Sequence, residues 1–392
     1  MKTLNDICEV ITCGVAKRPE YFKSGIPFLS SKNVKKDRFI LDHYNFISEL
    51  DYQQLTKHNK PEKGDILYTR VGSFGEAAVV DFDFKFAVFV SLTLIKPKHD
   101  VVQSRYLMHY LNSPEITSLA GNSTSGIGVQ NLNVNVVRKF PINLPPLPTQ
   151  QKIASILDAA DTLRQKDKVL LAKYDELTQS LFLDMFGDPV KNEKGWEKVS
   201  LSEYGSFKNG LNFNNTESGV RIKYLGVGDF KSKSRIDKAE SLSDIELNSL
   251  PNDSYLLNDG DLVFVRSNGN RALVGRCVEV YPKNHKLTFS GFCIRYRINS
   301  QLIKPTYLSQ LFRNKSFKNL MLESGQGANI QNINQQILSG IDVPLPSLTM
   351  QDHFVQSIQL IEDQKAIAQK SLKKSEELFN SLLQKAFKGE LV

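Results

Sequence analysis

The sequence lacks the features that mark membrane proteins and secreted proteins. No apolar run reaches the roughly 18 residues that a membrane-spanning helix needs. The first residues, MKTLNDICEV, do not have the pattern of a signal peptide, and we therefore expect a cytoplasmic protein. The cysteines, Cys8, Cys13, Cys277 and Cys293, lack the spacing of metal ligands, and we interpret them as free thiols.

Catalytic motifs are also missing. The chain contains no GxxxxGK[ST] phosphate-binding loop, no GxGxxG segment after a strand, no HExxH and no nucleophile elbow. The Asn/Asp-Pro-Pro-aromatic motif of adenine methyltransferases is absent as well. The six histidines are scattered, so they indicate no shared site. We predict no catalytic residue and no metal site in this chain.

The overall composition is ordinary. A length of 392 residues suits two or three domains, and 41% hydrophobic with 23% charged residues is typical of a globular protein. The net charge of +8 points weakly towards a polyanionic partner. Because 50 basic against 42 acidic residues is also a common solvated surface, the distribution of charge is more informative than its sum.

The stretch from Pro145 to Pro189 predicts a long helix. After its opening prolines, Thr149 is a plausible N-cap, and about 37 residues follow without proline or glycine until Gly187. Such a helix would be about 55 Å long, which exceeds the width of a small domain. We therefore expect it to need a partner.

The apolar residues of this helix form two series with the seven-residue spacing of a coiled-coil seam. The first series is Ile156, Leu163, Leu170 and Leu177. The second series is Ile153, Ala160, Tyr174 and Leu181, interrupted by Asp167.

The same stretch recurs at the C-terminus, where Gln150 becomes Gln351 and Leu177 becomes Leu378 at a constant offset. The second helix has its own two series, which are Ile358, Leu372, Phe379 and Ala386, and Ile361, Ala368 and Leu382. Two matching seams in one chain most simply bury each other. We predict that the helices pair as an antiparallel coiled coil.

The segments that precede the helices are β-rich and repeat each other. Gly64-Asp65-Ile66 matches Gly260-Asp261-Leu262, and VQNLN at Val129 matches IQNIN at Ile330. We predict an α+β fold with β-rich domains at 1–148 and 189–348 and long helices at 149–188 and 349–392. Antiparallel helices would relate the halves by a pseudo-two-fold axis and place the domains at opposite ends of a stiff rod.

Basic and amide side chains occur at matching places in the two halves, which suits contacts to DNA phosphates and base edges. The candidates in the first half are Lys17, Arg18, Lys32, Asn33, Lys35, Lys36, Arg70, Ser73, Gln130 and Asn131. The candidates in the second half are Asn209, Asn212, Lys231, Lys233, Arg266, Ser267, Asn268, Asn270, Arg271, Gln331 and Asn332.

Arg70 and Arg266 are the most specific of these candidates, because each begins a glycine-containing loop after a matching strand. An arginine there offers donors to base edges, and glycine lets the backbone approach phosphate. The alternative is a hairpin turn in which the arginine pairs with an acid. The lysines can equally form solvated loops, and the Gln-Asn pairs can equally cap turns.

The whole chain resembles the specificity subunit of Type I restriction–modification systems. The segments that carry the resemblance are LPPLPTQQKI, VPLPSLTMQDHF, FLDMFGDP, WEKVSLSEYG, GDILYTRVG, GDLVFVRSNG, QNLN, QNIN and AFKGELV. In one departure, the family's Glu-Gln before each helix is Thr149-Gln150 and Met350-Gln351 here.

The resemblance implies that the β-rich domains are target recognition domains, each of which reads one half of a split, asymmetric DNA sequence. The coiled coil would fix the gap between the halves. Two methyltransferase subunits would dock on this scaffold and methylate a flipped adenine in each half with S-adenosylmethionine. Restriction subunits that translocate DNA would add cleavage. This chain itself would bind no cofactor.

The sequence leaves open two other interpretations of the function. One is a pseudo-dimeric enzyme with its active site between the repeated domains, which turnover by the chain alone would support. The other is a coiled-coil assembly scaffold without a nucleic-acid role. A steep dependence of DNA affinity on salt would separate the DNA-binding subunit from that scaffold.

Overall fold

A computed structural model describes residues 2–15, 19–124, 130–214, 216–231, 233–323 and 332–392. The chain forms two compact units. Unit 1 comprises Met1–Lys168 and Lys370–Val392, and unit 2 comprises Val169–Gln369. Each unit contains a β-rich region and a segment of each long helix, so the fold is α+β as expected.

The elements of the first β-rich region are short. Its strands are β1 (Lys2–Thr3), β2 (Cys8–Cys13), β3 (Ile26–Leu29), β4 (Val34–Lys35), β5 (Arg38–Phe39), β6 (Asn45–Ile47), β7 (Ile66–Thr69), β8 (Ala77–Val79), β9 (Ala87–Val88), β10 (Leu92–Pro97) and β11 (Pro141–Ile142). Its helices are α1 (Leu4–Ile7), α2 (Glu49–Leu55), α3 (Ser104–Leu111), α4 (Pro114–Asn122) and α5 (Val134–Arg138).

These strands form a four-stranded sheet in the order β2-β10-β7-β8 and a three-stranded sheet in the order β6-β3-β9. Strand β10 is buried on both faces, since α3 and the long helices cover one side and a second apolar cluster fills the other. The main core of unit 1 includes Tyr68 of β7, Leu107 of α3, and Leu157 and Phe379 of the long helices.

The second β-rich region has strands and helices in an order similar to that of the first region. Its strands are β12 (Lys198–Ser200), β13 (Gly205–Asn209), β14 (Val220–Leu225), β15 (Arg235–Ile236), β16 (Asp244–Leu247), β17 (Asp261–Val265), β18 (Cys277–Val280), β19 (Leu287–Phe289), β20 (Cys293–Ile298) and β21 (Asp342–Pro344). The long helix that precedes it is α6 (Leu147–Phe186), and its own helices are α7 (Leu201–Tyr204), α8 (Pro305–Arg313), α9 (Lys315–Glu323) and α10 (Gln335–Ser339).

The sheets of unit 2 repeat those of unit 1. The larger sheet has the order β13-β20-β17-β18-β15, in which the first four strands correspond to β2-β10-β7-β8 and β15 is a fifth strand at the edge. The smaller sheet has the order β16-β14-β19. In both units the smaller sheet contains one antiparallel and one parallel strand pair. The duplication predicted from the sequence is therefore confirmed by the strand order.

Each long helix has a buried glutamine in its first turn. Gln150 accepts a hydrogen bond from the Gln103 amide (2.9 Å) and donates to the carbonyls of Val101 and Pro145. In unit 2, α11 (Leu348–Lys388) starts in the same way, with Gln351 bonded to Lys304, Leu302 and Pro346. The predicted N-cap at Thr149 is wrong, because α6 begins at Leu147 and has Pro148 in its first turn.

One of the two apolar series predicted for α6 is also wrong. Leu163, Leu170 and Leu177 are 46%, 41% and 49% exposed, and Ile156 is only half-buried. The residues that face the protein lie one position later, at Leu157, Arg164, Leu171, Thr178 and Met185. Adjacent apolar residues occur at Ile156-Leu157 and Leu170-Leu171, so the pattern alone does not choose between the two lines.

The residues of the other series lie on the buried sides of their helices. In α6, Ile153 and Ala160 are buried and Tyr174 and Leu181 are half-buried. In α11, Ile358, Ile361, Ala368, Phe379 and Ala386 are buried, and Leu372 and Leu382 are half-buried.

Within unit 1, the segments of α6 and α11 contact each other and run antiparallel. The guanidinium of Arg164 lies 4.4 Å from the ring centroid of Phe379. Asp167, the break in the second series, accepts hydrogen bonds from Ser371 (3.1 Å) and Ser375 (2.8 Å). The buried carboxylate is thus satisfied by hydroxyl donors.

Within unit 2, the segments of the same two helices also run antiparallel. Lys365 pairs with Asp175 at 2.5 Å. The Phe354 ring packs against those of Phe182 and Phe186, with centroid distances of 5.8 and 5.1 Å. Among the described helices, none is both long and apolar enough to cross a membrane.

Candidate nucleic-acid interface

In unit 1, two of the predicted contact segments meet at the end of β7. The Arg70 carbonyl accepts the Leu132 amide at 2.8 Å, and the Gly72 amide donates to the Gln130 carbonyl at 3.3 Å. Val71 and Asn131 form an isolated antiparallel bridge. The loop after β7 and the Gln-Asn turn, far apart in sequence, therefore form one surface. Ser73, Gln130 and Asn131 are exposed on it.

The Arg70 side chain holds this junction together from inside. It is 8% exposed, and it donates to the Leu132 carbonyl (2.9 Å), the Val90 carbonyl (3.0 Å) and Asn131 Oδ1 (3.0 Å). The guanidinium is thus occupied by protein acceptors. This geometry corrects our prediction for the free chain: Arg70 positions the loop and the turn, and its donors are not free to meet a base edge.

Unit 2 builds the same junction with different side-chain contacts. The Ile333 amide donates to the Arg266 carbonyl at 2.9 Å, and Ser267 forms a bridge with Asn332, which is exposed. The Arg266 side chain is half-buried, and within the described ranges its guanidinium has no hydrogen-bond acceptor. Its donors therefore remain candidates for contacts to DNA. Gln331 lies outside the described residues.

Phe292 is a candidate that the sequence patterns did not reveal. Its carbonyl accepts the Arg266 amide at 2.7 Å, and its side chain is 61% exposed beside the junction. In unit 1 the Arg70 amide donates to Ser91 at 3.0 Å, so Ser91 is the equivalent residue. An exposed aromatic ring offers a surface on which a base or sugar can stack. The only signal in the sequence was the Ser-Gly-Phe order before β20.

Asn209 and Asn212 lie next to the same segment of unit 2. The Gly291 amide donates to the Leu211 carbonyl at 2.8 Å, and a Cβ at Gly291 would collide with the Asn212 amide. Asn209, at the end of β13, and Asn212 are both exposed. These residues therefore lie on the Arg266 surface as predicted candidates.

The remaining candidates of unit 2 are divided between local turns and open surface. Asn268 accepts the Asn270 amide (2.8 Å), and Asn270 accepts the Ala272 amide (3.0 Å), which caps the 3-10 helix Arg271–Leu273. Asn270 and Arg271 are nevertheless exposed. Farther along the surface, Lys231 is exposed and Lys233 is half-buried.

The basic segment of unit 1 approaches the Arg70 junction through the 3-10 helix Ser31–Asn33. The Ser31 amide donates to Ser91 Oγ at 3.0 Å, and Lys32 is exposed beside it. Farther from the junction, Lys36 is exposed, whereas Lys35 pairs with Glu76 at 3.2 Å.

Asn33 was predicted to contact DNA, and its burial corrects this. It is 3% exposed, and its amide donates to the carbonyls of Ile40 (3.0 Å) and His43 (2.8 Å) while accepting the Ser30 amide. Asn33 therefore shapes the loop that carries Lys32. Two further candidates, Lys17 and Arg18, lie outside the described residues.

One group of described residues has the ligand types of a metal site. The ligand atoms of Asp37, His109 and Asp158 lie within 4.8 Å of one another. However, Arg105 donates to Asp37 at 2.6 Å and to Asp158 at 2.5 Å, so its guanidinium already supplies the positive charge. His109 Nε2 lies 2.6 Å from Asp158. The group joins the β4–β5 turn, α3 and α6.

Burial and hydrogen bonding act in opposite directions on these carboxyl groups. At Asp158, burial raises the pKa, but hydrogen bonds from His109 and Arg105 outweigh it, so the pKa lies below its ordinary value. At Asp37 burial dominates over Arg105 and raises the pKa. The four cysteines are free thiols, and burial raises the pKa of Cys8 to about 12. Burial also raises the pKa of Cys277 and Cys293, so these three buried thiols stay protonated at neutral pH.

Taken together, the fold and the surface define a class of duplicated proteins. Each unit has four equivalent strands in the same order in its larger sheet, and each brings a loop and an amide-bearing turn together at the end of the equivalent strand, β7 or β17. The family described as Type I restriction modification DNA specificity domain matches residues 1–171 and 193–377. The chain belongs to this family and carries the domain twice.

Similar proteins with curated names span the chain. The chain is 23% identical to the Type I restriction enzyme StySPI specificity subunit of Salmonella potsdam, over 93% of this chain and 82% of that protein. It is 24% identical to the EcoKI specificity subunit of Escherichia coli K12, over 100% of this chain and 88% of that protein.

Solved structures share the fold. The S subunit of a Type I restriction–modification system from M. genitalium aligns with a TM-score of 0.54 at 16% identity, covering 98% of this chain and 95% of that one. A chain from a study of assembly and conformational transition of the Type I system aligns with a TM-score of 0.56 at 16% identity, covering 99% and 97%.

Proposed function

We propose that this chain is the DNA-reading subunit of a Type I restriction–modification complex, and that each unit reads one half of a split, asymmetric DNA sequence. One observation carries the proposal: the two family matches fall on two β-rich regions with the same strand order and the same loop–turn junction. A duplicated reader of this kind needs two targets of similar size and different sequence.

The surface chemistry of each unit supports DNA as the ligand. Exposed lysines such as Lys32, Lys36 and Lys231 suit phosphates, which position a protein on the duplex. In unit 2, Arg266 and the exposed Asn332 offer donors that suit guanine and adenine edges in the major groove. In unit 1, Ser73, Gln130 and Asn131 take that role, while Arg70 holds them in place.

The long helices are proposed to act as the spacer between the readers. Their segments run antiparallel within each unit, and α6 has 40 residues, which corresponds to about 60 Å of helix. A continuous antiparallel coiled coil would keep the two readers at a fixed separation on one face of DNA, where grooves recur about every 34 Å. The spacer length in the DNA target would follow from the helix length.

Catalysis is assigned to partners rather than to this chain. Two methyltransferase subunits that bind S-adenosylmethionine would methylate an adenine in each half-site, and restriction subunits would cleave. The exposed Leu163, Leu170 and Leu177 recur at seven-residue spacing on α6, which suits packing of a partner helix.

Sequencing of methylated adenine across a genome tests the proposal. The chain is expressed with its methyltransferase partner in a host that lacks both, and the partner expressed alone is the control. We expect methylation at two short sequence blocks separated by an unread spacer, and only when this chain is present. A single continuous motif, or methylation by the partner alone, would contradict the proposal.

A further inference from the structure

Unit 2 contains a cavity of about 350 Å³ that the DNA-reading surface does not use. It lies where β18, the end of α8 and α9 face the α6 and α11 segments of the same unit. Its wall includes three basic side chains, Arg276, Arg313 and Lys318, all half-buried. The cavity is within the size range of small-molecule sites, which is about 300–1,000 Å³.

These three cations have no acidic partner among the described residues. Arg313 donates to the carbonyls of Lys233 (3.3 Å) and Cys277 (3.4 Å), and Lys318 donates to the Ala272 carbonyl (2.9 Å). The acids in the wall, Asp175 and Glu362, face a fourth cation, Lys365, at 2.5 and 3.8 Å. The wall therefore carries an excess of positive charge.

The cations also disfavour one another. Burial, together with Arg276 and Arg313, lowers the pKa of Lys318. Burial and Arg276 likewise lower the pKa of Arg313, and the opposing effects of Cys277, Asp175 and Glu362 are smaller. In the free chain the positive charges of Arg313 and Lys318 are thus held at some cost in free energy, which an anion in the cavity would offset.

The fold itself does not require this cluster. Strand pairing aligns Ala77 with Cys277, because their partners are Tyr68 and Phe264 in equivalent strands. The residue of unit 1 that corresponds to Arg276 is then Glu76. The repeated Tyr-Leu pairs at 106–107 and 307–308 align Arg313 with Asn112 and Lys318 with Thr117. Glu76 pairs with Lys35, and Asn112 exchanges two hydrogen bonds with Ala77 at 2.9 Å each. The same framework is therefore stable without the three cations.

We propose that this cavity binds the phosphate group of a small anionic ligand. Arginine and lysine at half-buried positions give charge-assisted hydrogen bonds to phosphate oxygens, and arginine can do so with two parallel bonds. The Gln310 side chain also lines the cavity; its oxygen accepts from Gln179, so its amide nitrogen can supply a neutral donor. The hydroxyls of Thr178 and Ser234 line the cavity as well but already donate to the Tyr174 carbonyl and to Glu362. A phosphate of the DNA backbone shares this chemistry, but a concave site of this volume fits a small ligand better than a duplex.

Inorganic phosphate is the probe, and the full-length chain is the sample. Binding is measured by titration calorimetry and by the shift of the thermal unfolding midpoint, with sodium chloride at equal ionic strength as the reference. The variants are Arg276→Glu and Lys318→Thr, which introduce the residues of unit 1. Lys315→Gln removes an exposed charge outside the cavity and is the matched control.

We expect phosphate to raise the midpoint of the wild type and of Lys315→Gln more than chloride does. Each cavity variant should bind phosphate about tenfold more weakly or worse, since a charged hydrogen bond is lost. Without phosphate, both variants should unfold at the wild-type temperature or above it, because repulsion is reduced.

Equal effects of phosphate and chloride, or wild-type affinity in the two cavity variants, would overturn the proposal. If either variant fails to fold, Arg276→Gln takes its place in the calorimetric measurement. A short DNA duplex provides the second arm. Displacement of phosphate by the duplex would assign the site to the DNA backbone and overturn the small-ligand assignment, whereas binding of both together would support it.

Discussion

Replacing Arg70 should destabilise unit 1 rather than simply relax DNA specificity. The side chain is 8% exposed and makes three hydrogen bonds that join the loop after β7 to the turn at Asn131. Hydrogen bonds to a charged group contribute about 1.5–3 kcal/mol each, but losses of neighbouring bonds do not add in full. Because exposed Asn131 can bond to water instead, we expect Arg70→Met to cost about 2–4 kcal/mol.

Urea unfolding followed by circular dichroism measures this loss, and hydrogen exchange of the Leu132 amide locates it, because that amide donates to the Arg70 carbonyl. Arg266→Met in unit 2 is the matched control. That side chain is half-buried without an acceptor in the described ranges, so its removal should change stability by less than about 1 kcal/mol.

The effects of the two variants on DNA specificity should be the reverse of their effects on stability. Specificity is measured from the DNA sequence that the assembled complex methylates. Arg266→Met should relax one half-site by about 1–3 kcal/mol of base discrimination. If Arg70→Met kept the stability of the wild type and relaxed a single half-site, Arg70 would be a base-contacting residue. The structural role assigned to it here would then be refuted.

Three further outcomes are expected. Gln351→Ala should lower the free energy of unfolding by about 2–3 kcal/mol, because the three hydrogen bonds of this buried side chain are lost. Gln359→Ala, at an exposed position, is the control and should change urea unfolding little. Equal effects would contradict the role of Gln351. Because the pKa of Asp158 lies below its ordinary value of 3.8 when folded, its stabilising effect is complete above that value and is lost as the pH falls through the folded pKa. Acid unfolding should therefore be steeper for the wild type than for Asp158→Asn, and parallel curves would contradict this. Phe292→Ala should weaken DNA binding by the assembled complex without loss of stability, unlike Leu302→Ala, a control that is 51% exposed and should leave binding unchanged.

The sequence predicted the duplication well because every level of the chain repeats. The matched Gly-Asp pairs lie at the starts of β7 and β17, and the matched glutamines lie in the first turns of α6 and α11. The long helices were bounded correctly to within a few residues at their C-terminal ends, since Gly187 and Gly389 both adopt a positive φ there. Repetition in sequence is a strong signal because it does not depend on tertiary contacts.

The seam of α6 was only half predictable. Leu163, Leu170 and Leu177 follow a perfect seven-residue spacing, yet the buried line contains Arg164 and Thr178. Arg164 pairs locally with Asp161 and also packs on the Phe379 ring, a tertiary contact that no local pattern reveals. The leucines that appear to belong to a core therefore lie on the surface, where partner subunits are proposed to bind.

The candidate site was predictable as a region and not residue by residue. The sequence indicated the loop at Arg70 and the turn at Asn131 separately, and the structure joins them. Whether a polar side chain faces DNA or the interior depends on acceptors far along the chain, as Arg70 shows with its bonds to Val90 and Leu132. Phe292 was missed because burial is the default expectation for an aromatic residue.

Lengthening both long helices tests the central claim most directly. Seven residues are inserted into α6 after Lys168 and seven into α11 before Lys370, which adds about 10.5 Å, the length of about three base pairs. With methylated adenine sequenced across the genome, we expect unchanged half-site sequences and a longer unread spacer. A functional variant that kept the original spacer would contradict the claim that the helices set the distance between two readers.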